Sequence, residues 1–430
     1  MADAPLPSLD AISSCVTGYD PAALPIAQAR EFIDRLVPRL TATEFLPLRS
    51  ALGRIVARDV ISGIDVPAHD NSAMDGYALR GADLAADAPT VLQVVGSGFA
   101  GKAFQGEVGP AQCVRIMTGA EMPAGLDTVA PQELVNLKDE RITIAPGVLS
   151  TGDNRRFAGE DLARGGVALE AGRLIRPAEL GLLASLGHGQ IEVRRRLRVA
   201  FFSTGNELRS VGEPLEPGCV YDSNRYTLWG MLTRLGVDVL DMGVVRDDPV
   251  ALEAAFSAAA ANADVVITSG GVSVGDTDYT KMVMSRLGDV LFWRIAMRPG
   301  RPMAIGRIAS EGRHAILFGL PGNPVAVMVT FYALVRDALL TMGGAQTQPL
   351  PILRARTVTA VRKKPGRTEF QRAILAPGAD GVWQVRLTGT QGSGILRSMS
   401  EANCLMVLNH DQHRIAAGDF VDVMPFEGLV

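Results

Sequence analysis

The chain has 430 residues, of which 47% are hydrophobic, 20% are charged and 5% are aromatic. This composition is typical of a soluble globular protein with about three domains, and it excludes bulk disorder and a coiled coil. The formal net charge of −4 argues against a protein that coats nucleic acid, because such proteins carry a strong basic excess.

The cysteine spacing and the N-terminal residues predict the cellular compartment of the protein. The four cysteines are too far apart to form a C-x-x-C metal or redox pair, which favours a reducing environment. No basic segment followed by an apolar stretch opens the chain, so we expect a cytoplasmic location. The apolar stretch 315–335 imitates a membrane span, but glycine and proline near its middle favour a strand, a turn and a core helix, with no membrane partner.

The first half of the chain predicts two helical pieces around a β-rich stretch. Residues 1–22 lack periodicity and are predicted to form a mobile tail. Helices are predicted over Pro25–Leu40 and from Pro177 to Gly187, which is placed as a helix terminator. Between them, short β-branched runs separated by glycine and proline predict an inserted β domain over 61–154.

The second half predicts an α/β unit followed by a β unit. Between Leu197 and Gly343, apolar strands alternate with helices, which is typical of a parallel sheet with crossover helices. The predicted strands are Leu197–Phe202, Val237–Val245, Asp264–Thr268 and Ala315–Phe318, and the predicted helices are Ser223–Leu235, Pro249–Ala261, Asp278–Leu287 and Pro324–Leu340. After Pro349 the strand patterns return and predict a separate C-terminal β domain.

A glycine-rich loop follows a buried strand and precedes a helix, where open parallel sheets bind ligands. Its glycines let the backbone approach an anion, and a hydroxyl group adds a hydrogen bond. An ordinary tight βα turn is the alternative interpretation. The candidate ligand-binding residues are Ser269, Gly270, Gly271 and Ser273.

Acidic loops after neighbouring strands indicate a cation site in the same crevice. Glu207 follows the segment Ser203, Thr204, Gly205, while Asp247 and Asp278 lie in two further loops. The aspartates could instead cap the helices that follow them, which is the alternative to cation binding. Because three acidic loops that converge on one crevice suit a hard cation, we expect Mg²⁺ there.

A cluster of arginines indicates an oxyanion site. Arg294 and Arg298 would project to the same face of an extended strand, and a Pro-Gly turn brings Arg301 near. Charge-assisted hydrogen bonds from such a cluster would hold a small oxyanion, although a solvated strand edge is the alternative. The polar loop Asp70–Ala78 is suited to binding, although turns have the same composition.

Five segments together resemble the molybdopterin molybdenumtransferase family, which includes MoeA and the E domain of gephyrin. They are DNSAMDGYA (70–78), RIMTGA (115–120), STGNEL (203–208), SGGVSVGD (269–276) and LPGNP (320–324). The resemblance spans nearly the whole chain in the family's order. It implies an enzyme that inserts molybdate into the dithiolene of adenylylated molybdopterin, releases AMP and depends on Mg²⁺.

The resemblance also implies an architecture and a dimer. The implied units are a discontinuous linker domain (23–60 and 155–194), an inserted β domain (61–154), a molybdopterin-binding α/β domain (195–346) and a C-terminal β-barrel (347–430). The implied homodimer forms its cleft between the α/β domain of one subunit and the inserted domain of the other. Contacts with the adenylyltransferase and with cofactor-accepting enzymes follow as expectations.

The resemblance assigns roles to matching positions. Asp70 and Thr118 would act across the dimer and, with Glu207, are the implied catalytic residues. Glu207, Asp247 and Asp278 are the implied metal and substrate contacts. The remaining implied substrate-binding positions are the proline turn residues Pro321 and Pro324, and Arg367 and Ser393 of the C-terminal domain.

One departure from the family affects the oxyanion site. Arg294, Arg298 and Arg301 stand where many relatives have lysine, which retains charge but replaces a compact ammonium with a planar fork. Two other functions are alternatives to molybdenum insertion. An adenylyltransferase of molybdopterin has a related α/β domain but lacks the three additional domains, and a silent scaffold predicts a missing acidic residue, whereas each named one is present.

Overall fold

The computed structural model describes residues 23–272, 279–346 and 350–428, together with positions 9, 12, 16, 18 and 20. The predicted tail over 1–22 therefore lies mostly outside the described residues. Within it, Leu9 and Ile12 are buried in the main hydrophobic core. At these two positions the prediction of a mobile tail differs from the structure, because both apolar side chains pack against the protein.

The strands and helices are numbered in chain order over the described residues. The first strands are β1 (Thr43–Pro47), β2 (Val60–Ile61), β3 (Asn71–Ser72), β4 (Gly76–Leu79), β5 (Thr90–Gly98), β6 (Gln112–Ile116), β7 (Thr128–Pro131), β8 (Val135–Lys138), β9 (Arg141–Ile144), β10 (Arg155–Arg156), β11 (Val167–Leu169) and β12 (Gln190–Arg194). The next are β13 (Arg198–Thr204), β14 (Leu208–Arg209), β15 (Val220–Tyr221), β16 (Asp238–Val245), β17 (Val265–Ser269), β18 (Gly288–Arg294), β19 (Met297–Arg298), β20 (Pro302–Ser310) and β21 (Arg313–Leu320). The last are β22 (Leu353–Thr357), β23 (Val361–Arg362), β24 (Thr368–Pro377), β25 (Trp383–Leu387), β26 (Cys404–Leu408), β27 (Arg414–Ile415) and β28 (Phe420–Pro425).

The α-helices are α1 (Ile26–Leu36), α2 (Pro177–Ser185), α3 (Ser223–Leu235), α4 (Pro249–Asn262), α5 (Tyr279–Leu287), α6 (Pro324–Thr330), α7 (Arg336–Met342) and α8 (Leu396–Glu401). A π-helical turn, Phe331–Val335, joins α6 to α7. Helix α1 ends four residues before its predicted end, because Pro38 forces Val37 out of the helical conformation.

Two distant segments build a small unit around a core of their own. Strand β1 pairs antiparallel with β12, from Thr43 opposite Arg194 to Pro47 opposite Gln190. Strand β2 pairs with β11, and α2 packs nearby. The buried apolar residues of this core are Ala51, Val56, Val60, Leu169, Ile175, Leu183, Ile191 and Val193. Both chain segments are therefore needed to complete it.

The intervening stretch forms a six-stranded sheet in the order β7-β4-β6-β5-β9-β8. Its neighbours are antiparallel apart from the parallel pair β5–β6. Apolar residues of alternating strand positions form two separate core clusters, as expected for a sheet covered on both faces. The predicted β structure of this stretch agrees with this sheet.

The α/β unit is built on a six-stranded sheet in the order β16-β13-β17-β21-β20-β18. Strands β16, β13, β17 and β21 are parallel, whereas β20 and β18 are antiparallel additions at one edge. The sheet is thus mixed, where the sequence predicted a parallel one. Side chains of α1, α3, α6 and α7 share one core on one face, and α4 and α5 share a second core on the other.

The helical stretch Pro324–Met342 is long and apolar enough to cross a membrane, but 72% of its most apolar 18-residue window is buried inside the protein. Val325, Val329 and Leu334 are among its core side chains. It is therefore packed as the core helix that the sequence predicted.

The last unit is a closed barrel. Strands follow one another in the order β24-β25-β22-β28-β26, and β26 pairs again with β24, which closes the circle. The predicted C-terminal β-barrel is confirmed. Strand β19, from the α/β unit, pairs parallel with β24 and brings the barrel against the end of the mixed sheet.

Candidate active site

A cleft of about 540 Å³ lies at the carboxyl edge of the parallel strands, next to the barrel. Its walls are the loops after β13, β16, β17, β18 and β21 and the start of the barrel. Of the predicted site residues, it brings together Thr204, Gly205, Glu207, Asp247, Ser269, Gly270, Gly271, Arg298, Arg301, Pro321, Arg367 and Ser393. This is the edge at which open α/β sheets bind ligands.

The glycine-rich loop touches the loop after β13. Gly270 has a φ of +96°, and a Cβ atom built there would lie 2.5 Å from the carbonyl oxygen of Thr204. Only glycine fits this left-handed position without pushing the two loops apart. The Thr204 hydroxyl is buried and has no hydrogen-bond partner among the described residues. The cleft therefore has an unused polar oxygen in its wall.

Asn224 ties three walls of the cleft together. Its Nδ2 donates to Ser269 Oγ at 2.7 Å and to the Gly322 carbonyl at 2.6 Å. The Ser269 hydroxyl lies 3.5 Å from the Pro321 carbonyl. The Asn224 Oδ1 is buried and unpaired within the described part of the chain. One side chain thus fixes the start of α3, the glycine-rich loop and the proline turn.

Two carboxylates stand in the cleft wall after β13 and β16. Glu207 packs over Gly205, and the backbone N–H of Asp247 donates to Asn206 Oδ1 at 3.3 Å. Among the described residues, no group of three or more histidine, cysteine, aspartate or glutamate side chains is arranged to hold a metal ion. Asp278, the third predicted acidic residue, and Ser273 lie outside the described residues.

Three arginines line the opposite part of the cleft. Arg298 and Arg301 belong to the connection between β18 and β20, and Arg367 precedes β24. Three strand spacings separate β13 from β20 in the sheet, which is about 14 Å. The carboxylates and the arginines are therefore divided between two sides of the cleft, with room for a substrate between them.

A further guanidinium supports the arginine side from behind. Arg372 is 1% exposed; its Nε donates to Ser398 Oγ at 3.0 Å and its Nη2 to the Gly392 carbonyl at 2.9 Å. It forms no ion pair with a carboxylate of the described residues. Burial and, to a lesser degree, the charge of Arg298 together lower the pKa of this guanidinium to about 10. The group stays charged at neutral pH and adds positive potential behind the loop that carries Ser393.

Three predicted residues of the α/β unit lie outside the cleft lining. Ser203 is fully buried beneath it, and Pro324 stands at the start of α6. Arg294 ends β18, whereas Met297–Arg298 pairs with the barrel strand β24. The expected continuous strand from Arg294 to Arg298 is therefore broken, because the chain leaves one sheet and joins another. The alternation that placed these two arginines on one face does not apply.

Asp70 and Thr118 form a separate polar cluster in the inserted sheet unit. Asp70 accepts from the backbone N–H of Ala158 at 2.8 Å and from Arg155, whose Nε lies 3.0 Å away. These hydrogen bonds, the Ala158 N–H first, lower the pKa of Asp70. Thr118 donates its N–H and its hydroxyl to Asp75, which lowers the pKa of that carboxyl. Neither residue lines the cleft of its own chain.

Sequence reasoning missed Asn224, Asn323 and Gln391, which also line the cleft. Asn323 lies in the proline turn LPGNP (320–324), so that motif already contained its position, and Gln391 lies two residues before Ser393. Asn224 carried a weaker signal: it is the second residue of a predicted helix that follows the crevice-facing loops. Its partners became visible only when the loops were brought together.

Family models match three stretches of the chain. They are described as the MoeA N-terminal region (domain I and II), over residues 24–187, a probable molybdopterin binding domain, over 200–341, and the MoeA C-terminal region (domain IV), over 354–426. The last two matches begin within two residues of the first strands of the mixed sheet and the barrel and cover the rest of both. The resemblance read from the five segments is confirmed by these matches.

Curated relatives and solved structures agree with the family matches. A molybdopterin molybdenumtransferase of Haemophilus influenzae is 42% identical, over 95% of this chain and all of the relative, and one of Nostoc sp. is 36% identical, over 93% of each. Two structures of the molybdopterin biosynthesis moeA protein of Pyrococcus horikoshii match 94% of this chain and all of theirs, with TM-scores of 0.79 and 0.74 at 27% and 31% identity. The chain belongs to the molybdopterin molybdenumtransferase (MoeA) family of enzymes.

Proposed function

We propose that this enzyme inserts molybdenum from molybdate into adenylylated molybdopterin, releases AMP and so completes the molybdenum cofactor. One observation carries the proposal: a single cleft holds arginines on one side and carboxylates on the other, in a chain whose relatives bear the name of this activity. The cytoplasmic location and the contacts with the adenylyltransferase and with cofactor-accepting enzymes are part of the proposal.

The arginine side would hold molybdate. Arg298 and Arg301 are exposed at the cleft, and Arg367 is fixed by Glu369, which lies 2.9 Å from its Nε. Planar guanidinium groups donate two parallel hydrogen bonds to an oxyanion, which orients it as well as attracting it. Arginine in place of lysine should therefore favour a more fixed molybdate geometry.

The carboxylate side would hold the pyrophosphate end of the substrate through Mg²⁺. Glu207 and Asp247 supply carboxylate oxygens, and the unpaired oxygens of Thr204 and Asn224 lie in the same wall. This oxygen-rich set fits Mg²⁺, which usually takes one or two carboxylates and completes its shell with water and substrate phosphates. Glu207 and Asp247 would hold the ion, and the chemistry supplied by a bound Mg²⁺ would be neutralisation of negative charge on the pyrophosphate.

Asp70 and Thr118 would complete the cleft of a second copy of the chain. Their side chains are held in place by hydrogen bonds, yet they stand outside their own subunit's cleft. In a two-fold dimer each subunit can lend such a cluster to the other. We therefore propose a homodimer with two shared active sites.

The direct test measures AMP release and active-cofactor formation from purified adenylylated molybdopterin with Mg²⁺, with molybdate added or withheld. Molybdate-dependent release, together with activation of an apo-molybdoenzyme, is the expected result. Adenylylation of molybdopterin by ATP in place of release would contradict the proposal. Tight substrate binding without either product would identify a scaffold instead.

Variants separate the two sides of the cleft. R298A should raise the KM for molybdate about tenfold or more, because it removes charge-assisted hydrogen bonds. E207Q should instead weaken the dependence on Mg²⁺ and leave the molybdate KM less affected. R313A is the matched control, since Arg313 is exposed and lies outside the cleft lining.

Mixing two variants of strongly lowered turnover tests the shared cleft. When D70N and E207Q chains are refolded or co-expressed together, mixed dimers contain one intact site and one doubly altered site. With equal amounts of both chains, half of the dimers are mixed and each of these has one intact site of two. Random mixing therefore restores about a quarter of wild-type turnover. If all of these groups acted within one chain, the mixture would stay as inactive as either variant.

A further inference from the structure

A second cavity, of about 810 Å³, lies at the other end of the α/β unit. Residues just before β13, the end of α3 and the end of α7 line it, together with parts of the small two-segment unit. The active-site cleft lies at the carboxyl end of β13, the start of α3 and the turn before α6. Because α3 has 13 residues, the two cavities are about 20 Å apart.

Arginine dominates the lining of this second cavity. Its arginines are Arg54, Arg173, Arg176, Arg194, Arg195, Arg196, Arg234 and Arg336, and no aspartate or glutamate of the described residues lines it. Carboxylates outside the lining pair with five of the eight: Glu44 with Arg54, Glu179 with Arg173 and Arg176, Asp264 with Arg195, and Asp337 with Arg336. Four carboxylates therefore face eight guanidinium groups.

Three of the arginines have no carboxylate partner among the described residues. Arg194 donates from Nη1 to the Thr41 carbonyl at 3.1 Å, but its buried Nε has no partner in the described chain. Arg196 and Arg234 are exposed at the cavity. A buried guanidinium N–H without an acceptor is costly, and a bound anion would satisfy it.

Helix ends offset only part of this positive charge. The carboxyl ends of α3, near Gly236, and of α7, near Gly343, both reach the cavity. Each contributes about half a negative charge, or about one together. The four paired carboxylates, Asp238 beside Arg195 and the two helix ends leave an excess of about two positive charges. The cavity is therefore built for an anion with several charges.

Most of the other large side chains that line the cavity are apolar. This leucine wall consists of Leu52, Ile55, Leu174, Leu197, Leu235, Val237, Leu339 and Leu340. Leu52 and Leu174 are 50% and 45% exposed, so a ligand there would cover apolar surface that now faces water. The volume lies within the range of small-molecule sites, about 300–1,000 Å³. The lining thus offers guanidinium groups beside apolar side chains, which suits a molecule with phosphates and a ring.

We propose that this cavity is a second ligand site, which takes a nucleotide: the guanidinium groups hold its phosphates and the leucine wall packs against its base. The site is separate from the active-site cleft and does not depend on the proposed reaction. Arg196 and Arg234 are the residues that test it best, since they are exposed and their substitution leaves the core intact.

The test is calorimetric titration of the full-length protein with ADP, without Mg²⁺. The variant R298E weakens anion binding in the active-site cleft, so ADP bound by R298E reports the second cavity. Adding R196E and R234E to R298E should weaken this binding about 100-fold, because two charge-assisted contacts are lost. R313E added to R298E is the matched control and should leave the affinity unchanged. Equal unfolding temperatures establish that all variants are folded.

Two results would overturn the proposal. The first is no ADP binding by R298E, or binding that R196E and R234E do not weaken. The second concerns the ligand class: ADP should bind about tenfold or more tightly than inorganic pyrophosphate, because only ADP covers the leucine wall. Equal affinities would overturn the assignment of a nucleotide.

Discussion

Asn224→Ala should loosen the active-site cleft and the protein together. The side chain is 8% exposed and donates to Ser269 Oγ and the Gly322 carbonyl. The change removes two hydrogen bonds of about 1 kcal/mol each and leaves a buried carbonyl without its donor, which adds about 1–2 kcal/mol. Removing the buried, unpaired Oδ1 offsets part of this loss, so we expect the free energy of unfolding to fall by about 2 kcal/mol.

Urea denaturation measures this change, and turnover measures its effect on the site. Because Asn224 holds three loops, kcat/KM for adenylylated molybdopterin should fall by about tenfold or more in N224A. Asn262→Ala is the matched control: this exposed amide bonds the Ala258 carbonyl at 2.9 Å, and its loss should change stability by less than about 0.5 kcal/mol. If N224A unfolds within about 0.5 kcal/mol of the wild type, the amide does not hold the loops, and the reasoning is wrong.

Three further changes test other parts of the structure. D70N removes the carboxylate charge but keeps the shape of the side chain. We therefore expect turnover to be lost while the thermal midpoint stays nearly unchanged, and normal turnover would remove Asp70 from the mechanism. Glu179 accepts hydrogen bonds from Arg176 and other donors that lower its pKa to about 2, so the stability that it contributes is complete above about pH 4.5 and is lost as the pH falls towards 2. Acid unfolding of E179Q should accordingly show a weaker pH dependence over that range, and an identical curve would refute this assignment. Phe256→Ala removes a fully buried ring that meets Phe202 edge-on and should destabilise by about 3–5 kcal/mol, whereas the half-exposed Phe420→Ala should change stability much less; equal effects in urea denaturation would contradict the packing argument.

Much of the fold followed from hydrophobic patterns and helix signals. The helix Ser223–Leu235 has the bounds that the sequence predicted, because Asp222 caps its start and Gly236, with a φ of 79°, ends it. The three inner parallel strands, β13, β17 and β21, contain continuous apolar runs, which is what burial on both faces produces. The domain boundaries stay predictions.

The antiparallel edge of the mixed sheet was missed although the sequence holds a signal for it. Strands β20 and β21 meet at Glu311 and Gly312, whose φ values of 51° and 73° match a two-residue hairpin turn. Apolar periodicity locates a strand but does not give its direction. The predicted elements include no strand over Pro302–Ser310, so the hairpin that it forms with β21 was not recognised.

The sequence predicted the loops that line the site but not the buried residues that hold these loops in place. The motif loops could be assigned to one crevice because they follow parallel strands. Arg372 could not be recognised as a buried support, since nothing in the sequence distinguishes a buried arginine from an exposed one. Its burial depends on the barrel closing over it, which is a property of the tertiary fold.

The pairing of β1 with β12 has a consequence for synthesis on the ribosome. Thr43 emerges long before Arg194, its partner in the ribbon. At about 5–20 residues per second, β1 waits roughly 10 s for β12. During that time the inserted sheet, whose strands all lie between them, can fold first and bring the two ends together. The nascent chain therefore completes this small unit from the inside outwards, with its earliest strand among the last to be paired.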